Sequence, residues 1–173
     1  MKTLENSVIR LRSLEPDDLN FLYQTENTVE LWESSNTLKP FSKYTLQKYI
    51  ESAHIDIYTA KQVRFIIETS KEKKNVGLID LFDYDPIHMR AGIGIYIINN
   101  EQRKKYAENA LVVLIDYCKN IIRLNQIFCD ISSDNIASIK LFKKIGFRLS
   151  GKKMQWLNTA DGFKDVLFYQ LIL

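Results

Sequence analysis

The sequence predicts a mixed α/β fold, and three observations carry that reading. Runs with an apolar residue at every second position recur along the chain, which is the period of a half-buried strand. Between them lie stretches with apolar residues three and four apart, the period of an amphipathic helix. One such stripe stands between two strand runs, from Ala91 to Ser132, and a strand–helix–strand unit of this kind makes a right-handed parallel crossover.

The elements follow in order. Val8 to Arg12 alternates and reads as a strand. Pro16, Asp17 and Asp18 start a helix, because proline fits the first turn and acids favour the positive end of the helix dipole; it runs to about Asn27. Ser42 precedes a second helix carrying Leu46, Tyr49, Ile50 and Ala53 at helical spacing. Gln62 to Glu68, Val76 to Phe82 and Ala91 to Ile98 are three strands, the first two joined by the charged turn Lys71 to Lys74 and the last two through Asp83 to Pro86. The period then changes: Ala110, Leu111, Leu114, Tyr117, Cys118 and Ile121 form one helical stripe. Ile127 to Ser132 returns to strand. Ser132, Ser133 and Asp134 offer caps for a helix beginning near Asn135, and Gly146 stands where a left-handed cap ends it. Arg148 to Leu157 and Asp165 to Leu171 are the last strands, separated by a turn at Asp161-Gly162. The expectation is about seven strands and about four helices in one domain, residues 1–173.

Composition narrows the function classes. The 173 residues are 46% hydrophobic and 26% charged, with a net charge of +3 and no long basic block, so bulk nucleic-acid binding is not expected. No uncharged apolar run approaches the roughly 20 residues needed to cross a bilayer, and the start of the chain has no apolar signal region. A cytoplasmic protein without membrane partners is expected. Cys118 and Cys129 lie in apolar patterns and form no metal-type cluster with the two histidines, so two buried free thiols and no metal are expected.

Two segments hold the candidate chemistry. In the first, Gly92 and Gly94 lie on one face of a strand, where missing side chains leave room for another chain or a ligand. The strand leads into Gln102-Arg103-Lys104-Lys105-Tyr106-Ala107 and a helix start, where free N–H groups, the helix dipole and three cations suit an anion such as pyrophosphate. The second is Asn135 to Phe147, with Asn135 and Ser138 at another helix start.

In this order and spacing the segments resemble the GNAT superfamily of acetyl-CoA-dependent N-acetyltransferases, nearest to the spermidine/spermine and ribosomal-protein N-terminal acetyltransferase groups. Asn135, Ser138, Leu141-Phe142 and Gly146-Phe147 match the family's Asn-x-x-Ser-x-x-Leu-aromatic-x-x-x-Gly-Phe signature. Ile9 to Arg12, followed by Asp17 or Asp18 and Leu19, matches its opening, and the likeness covers nearly the whole chain. It implies a mostly antiparallel sheet whose one parallel pair splays around acetyl-CoA, the cosubstrate. It implies an acetyl group moving by direct attack to a small amine, a polyamine or a peptide N-terminus, and it is compatible with a homodimer through the last strands.

By the same resemblance, Ile95, Tyr96 and Ile97 present backbone groups to the pantetheine arm, which lies like an added strand. Gln102 to Ala107 hold the pyrophosphate, Asn135 and Ser138 meet the pantetheine or phosphate end, and Lys144 reaches a phosphate. Ile97 N–H is the expected oxyanion donor. Asp80, an interruption in an apolar run, either serves as a base through water, holds a cationic amine, or simply faces solvent. Glu33, beside Trp32, falls in the segment that forms the acceptor wall in this family. With Glu30, Asp83 and Asp85 these acids suit a polyamine pocket or are scattered surface charges.

Three positions depart from the family pattern, the first being Arg103, which follows Gln102 where the family often has glycine. Lys105 replaces the central glycine of the pyrophosphate loop, so the loop either avoids positive φ there or adopts it at a cost. Phe142 stands where many relatives carry a tyrosine acid, and phenylalanine cannot donate a proton. Either the thiolate, with a parent pKa near 8.5, leaves with little help, or the chain binds acyl-CoA without efficient catalysis. Tyr96 and Tyr106 are the alternative acids.

Overall fold

The computed structural model describes residues 4–29, 31–32 and 37–173. Strands β1 (Ile9–Arg12), β2 (Val63–Thr69), β3 (Asn75–Asp85), β4 (Arg90–Ile97), β5 (Gln126–Ser132), β6 (Arg148–Thr159) and β7 (Gly162–Ile172) form one sheet in the order β1-β2-β3-β4-β5-β7-β6. Every neighbouring pair is antiparallel except β4–β5, as the crossover predicts. The described α-helices are α1 (Leu19–Glu26), α2 (Lys43–Glu51), α3 (Ile57–Ala60), α4 (Tyr106–Tyr117) and α5 (Ile136–Ile145).

Local chemistry sets most boundaries. The Ser42 side chain accepts a hydrogen bond from the Thr45 N–H and caps α2. Asn135 accepts from the Ser138 N–H and caps α5, and Gly146 ends that helix at φ 109°. Pro16 opens a 3-10 turn, Pro16–Asp18, and α1 proper begins at Leu19. The turn closes because Asp18 accepts from the Glu15 N–H while Arg12 grips its carboxylate. Three details differ from expectation. α3 has four residues, too few for a periodic signal, and is capped by Asp56. β3 runs on to Asp85 through an irregularity with Asp83 at φ 49°. α4 widens into a π turn, Cys118–Ile122, which turns Ile121 off the apolar stripe to 54% exposure.

The two sheet faces carry separate cores. On one, Ala110, Leu111 and Leu114 of α4 and Phe142 of α5 pack on Phe65, Ile67, Ile79, Leu81, Ile93 and Ile127. On the other, Leu22 of α1 and Leu46 of α2 pack on Ile66 and Leu78. Helices of eight and nine residues have little stability of their own. Burying each such leucine contributes roughly 1.5–3 kcal/mol and holds them to the sheet. Cys118 and Cys129 are free and buried, and burial pushes each thiol up to about 12. Among the described residues, no helix is long and apolar enough to cross a membrane, and no cluster of His, Cys, Asp or Glu could hold a metal ion.

Candidate active site

The site is built on the parting of β4 from β5. They pair only at Arg90–Gln126, Ala91–Ile127 and Gly92–Phe128. Beyond Gly92, β5 continues against β7 up to Ser132, and β4 continues against β3 up to Ile97. The edge this exposes on β4 can be read from the ladder. The Ile98 N–H donates to the Val76 carbonyl at 3.0 Å. Antiparallel pairs alternate between bonded and non-bonded, so Leu78–Tyr96 is a bonded pair and Gly77–Ile97 and Ile79–Ile95 are not. Ile95 and Ile97 therefore turn their N–H and C=O groups away from β3, toward the gap. The Gln102 amide leans on the Ile97 carbonyl from that side at 3.4 Å. For Tyr96 the expectation is corrected: its main-chain groups face β3, and its carbonyl lies against Gly77.

Gly92 and Gly94 do different work. A Cβ on Gly92 would lie 2.4 Å from the Phe82 ring, so its missing side chain makes room for the chain's own half-buried Phe82 rather than for a ligand. A Cβ on Gly94 would meet Phe82 at 3.8 Å and the Asp80 carboxylate at 4.0 Å, which leaves the floor beside Asp80 open.

After a 3-10 turn at Asn99–Glu101, the loop enters α4 with Arg103 at φ 64° and Lys105 at φ 63°. Left-handed residues alternating with ordinary ones turn successive N–H groups to one side, the geometry of an anion nest. The loop thus adopts positive φ at Lys105, at a cost of about 1–2 kcal/mol for a residue with a Cβ. Hydrogen bonds hold it there. Asn109 donates from its side chain to the Lys105 carbonyl at 2.9 Å, and Asn6 donates to Asn109 at 3.0 Å. Asn6 is itself fixed by accepting the N–H groups of Val8 and Ile9.

The expected cations divide into two sets. Lys104 pairs with the buried Glu101, which Lys74 also grips, and the two ammonium groups hold that carboxyl below its ordinary range. Lys144 pairs with Glu108 at 2.7 Å, tying α5 to α4. Arg103 and Lys105 have no ion-pair partner among the described residues. Tyr106 and Ala107 are half-buried at the start of α4. Asn135 and Ser138 are joined to each other by the cap of α5. Phe142 is 3% exposed and packs edge-on against Phe147 at 5.0 Å.

On the α1/α2 face, Asp80 is part of a cluster. Arg64 of β2, opposite it in register, donates Nε and Nη2 to its two oxygens at 2.6 and 2.8 Å. Arg64 also donates Nη1 to Glu26 of α1, and the Tyr49 ring of α2 covers the guanidinium at 5.4 Å. Burial opposes the charge of Arg64, but Asp80 above all, followed by Tyr49 and Glu26, more than offsets it, so its pKa lies above the ordinary value. Burial raises Tyr49. Arg64, Glu26 and Tyr49 were not singled out from sequence. The available signal was a lone arginine in the apolar run Val63 to Ile67, matched by a lone aspartate in the next strand. Glu33 and Glu30 lie outside the described residues. Asp83 and Asp85 lie farther along β3, where Asp85 pairs with Arg90.

Residues 9–148 match the family model described as acetyltransferase (GNAT) domain. The chain belongs to the GNAT acetyltransferase family. It is accordingly an N-acetyltransferase that moves an acetyl group from acetyl-CoA to an amine, and the alternative of a non-catalytic acyl-CoA sensor is not favoured. Among its relatives, the spermidine N(1)-acetyltransferase of Vibrio cholerae is 25% identical over 164 residues, covering 93% of this chain and 91% of the relative. The Escherichia coli enzyme of the same name is 25% identical over 149 residues, covering 84% and 76%. The crystal structure of the Vibrio cholerae spermidine N-acetyltransferase in complex with CoA and spermine superposes with a TM-score of 0.86 at 25% identity, covering 96% of both chains. Mixed sheet, single parallel pair and flanking helices are those of a GNAT fold.

Proposed function

We propose that this GNAT acetyltransferase acts on a polyamine or a similar aliphatic primary amine, with residues 1–173 working as one domain. The observation that carries this reading is similarity along most of the chain to spermidine N-acetyltransferases of two bacterial genera. The acceptor face supports it, since Glu26 and Asp80 outnumber Arg64 there and favour a cationic substrate.

In this reading the two substrates approach from opposite faces. The pantetheine arm lies along the β4 edge and bonds to the main chain of Ile95 and Ile97. The pyrophosphate sits in the nest from Gln102 to Ala107, with Arg103 and Lys105 as available cations. Asn135, Ser138 and Lys144 line the outer part of the donor site. The thioester then reaches the gap, where Ile97 N–H stabilises the tetrahedral oxyanion. The amine arrives over Gly94, beside Asp80. An ammonium has no lone pair to attack with, so Asp80 holds it and passes its proton to water. The sulfur leaves as a thiolate, because Phe142 offers no proton. Two copies meet through the exposed apolar side chains of β6 and β7, including Met154, Trp156 and Phe163, an arrangement that light scattering tests.

The deciding experiment is thiol release from acetyl-CoA with spermidine, spermine, an aminoglycoside and a peptide with a free N-terminus. The polyamines are expected to give the highest kcat/KM. Faster turnover of the peptide, or CoA binding with no thiol release from any amine, overturns the proposal.

A further inference from the structure

We infer that Arg64 is a positioning residue of the acceptor site, acting through Asp80. This rests on the reading of Asp80 as the group that meets the amine.

The geometry sets the inference apart from simple stabilisation. An ion pair removed from water gains little over apolar packing, so a mainly structural need would be met by another aliphatic residue in the run Val63 to Ile67. Arg64 instead spends all three guanidinium nitrogens on two carboxylates from different elements. Its fork on Asp80 is bidentate, which fixes the carboxylate plane as well as its position. An ionised carboxylate has about four lone-pair sites. Two are taken by Arg64, and the rest remain for an amine or a water. Asp80 keeps 27% of its side-chain surface exposed, whereas Glu26 keeps 7%. Asp80 is thus the outward member of the pair and Glu26 the anchor.

Position completes the case. Asp80 lies opposite Gly94, two residues past Gly92, the last β4 residue that pairs with β5. Its carboxylate therefore stands where the gap begins. Tyr49 lies over the guanidinium, so α1, α2 and β2 all bear on the orientation of one carboxylate in β3. The cluster carries two negative charges and one positive, leaving a net charge of −1 for the incoming cation.

The test rests on Arg64 variants that keep that net charge, with Asp80→Asn added to measure coupling. Arg64→Met alone strands two acids together and can misfold, so the main variant is the pair Arg64→Met with Glu26→Gln. Thermal melting and CoA affinity are expected to stay near wild type, and KM for spermidine to change little. The turnover number is expected to fall roughly 10–100-fold, the scale of a misplaced reacting group. Arg64→Lys, which keeps the charge but loses the fork, is expected to recover part of it. Adding Asp80→Asn to the main variant is expected to cost much less than Asp80→Asn costs the wild type, since the two residues act as a unit. Unchanged turnover in the main variant overturns the inference. So does a loss that follows melting temperature and CoA affinity, or independent effects of Arg64 and Asp80. A wild type that releases no thiol with any of the amines overturns the acceptor reading itself, whereas an active wild type with indifferent Arg64 variants overturns only this inference.

Discussion

In the proposed reading the donor groups that face the gap belong largely to the main chain: the Ile95 and Ile97 edge of β4 and the N–H groups of the loop before α4. On the acceptor side they are side chains: Arg64, Asp80, Glu26 and Tyr49, each from a different element. Main-chain groups are supplied by any residue that holds the backbone conformation, so the donor side tolerates substitution as long as the fold imposes its shape. Side-chain groups tolerate little. This is why Lys105 can hold a left-handed backbone that glycine would adopt without strain, while the Arg64–Asp80 fork depends on the identity of both partners.

The comparison can be broken most sharply at Ile97. Ile97→Pro removes an N–H that β3 does not use, at a free edge where proline is tolerated. Turnover is expected to fall about 100–1000-fold, the usual cost of an oxyanion donor, with far-UV circular dichroism unchanged. Asp80→Asn probes the other side. It is expected to lower kcat/KM for the amine by about 100-fold, at the lower end for proton transfer, while calorimetry shows CoA binding intact. Equal losses in both measurements would erase the division of labour. Phe142→Tyr adds a proton donor to the ring that packs on Phe147; if that hydroxyl reaches the departing sulfur, steady-state kinetics should show turnover rising about tenfold or less, because a thiolate leaves readily. The smallest effect belongs to the loop. Lys105→Gly relieves the left-handed strain but adds freedom to the unfolded chain, for a net stabilisation of about 1 kcal/mol. A melting temperature higher by roughly 2–4 °C checks it.

The same division governed what could be read from sequence. Period and caps gave the element order, because Ser42, Asn135 and Gly146 act on their own neighbours. The loop before α4 was ambiguous because its conformation is set at long range: Asn109 holds Lys105, and Asn6, 103 residues away in sequence, holds Asn109. Arg64 was missed because its role depends on register. Only when β2 and β3 are aligned do Arg64 and Asp80 face each other. Gly92 shows the same effect in reverse. Its place on the strand face was legible, but the Phe82 ring that fills the space is known only from the pairing of β3 with β4.

The parting of β4 from β5 also has a kinetic meaning. In the proposed reading, a gap entered from both faces lets the donor dwell while the acceptor comes and goes, so the order of addition is left to concentration and the reaction passes through a ternary complex. Nothing in that scheme requires an acyl group to rest on the protein between half-reactions. Both cysteines, at 0% and 2% exposure, are sealed away from such a task. Initial-rate lines at several fixed acceptor concentrations then converge rather than run parallel.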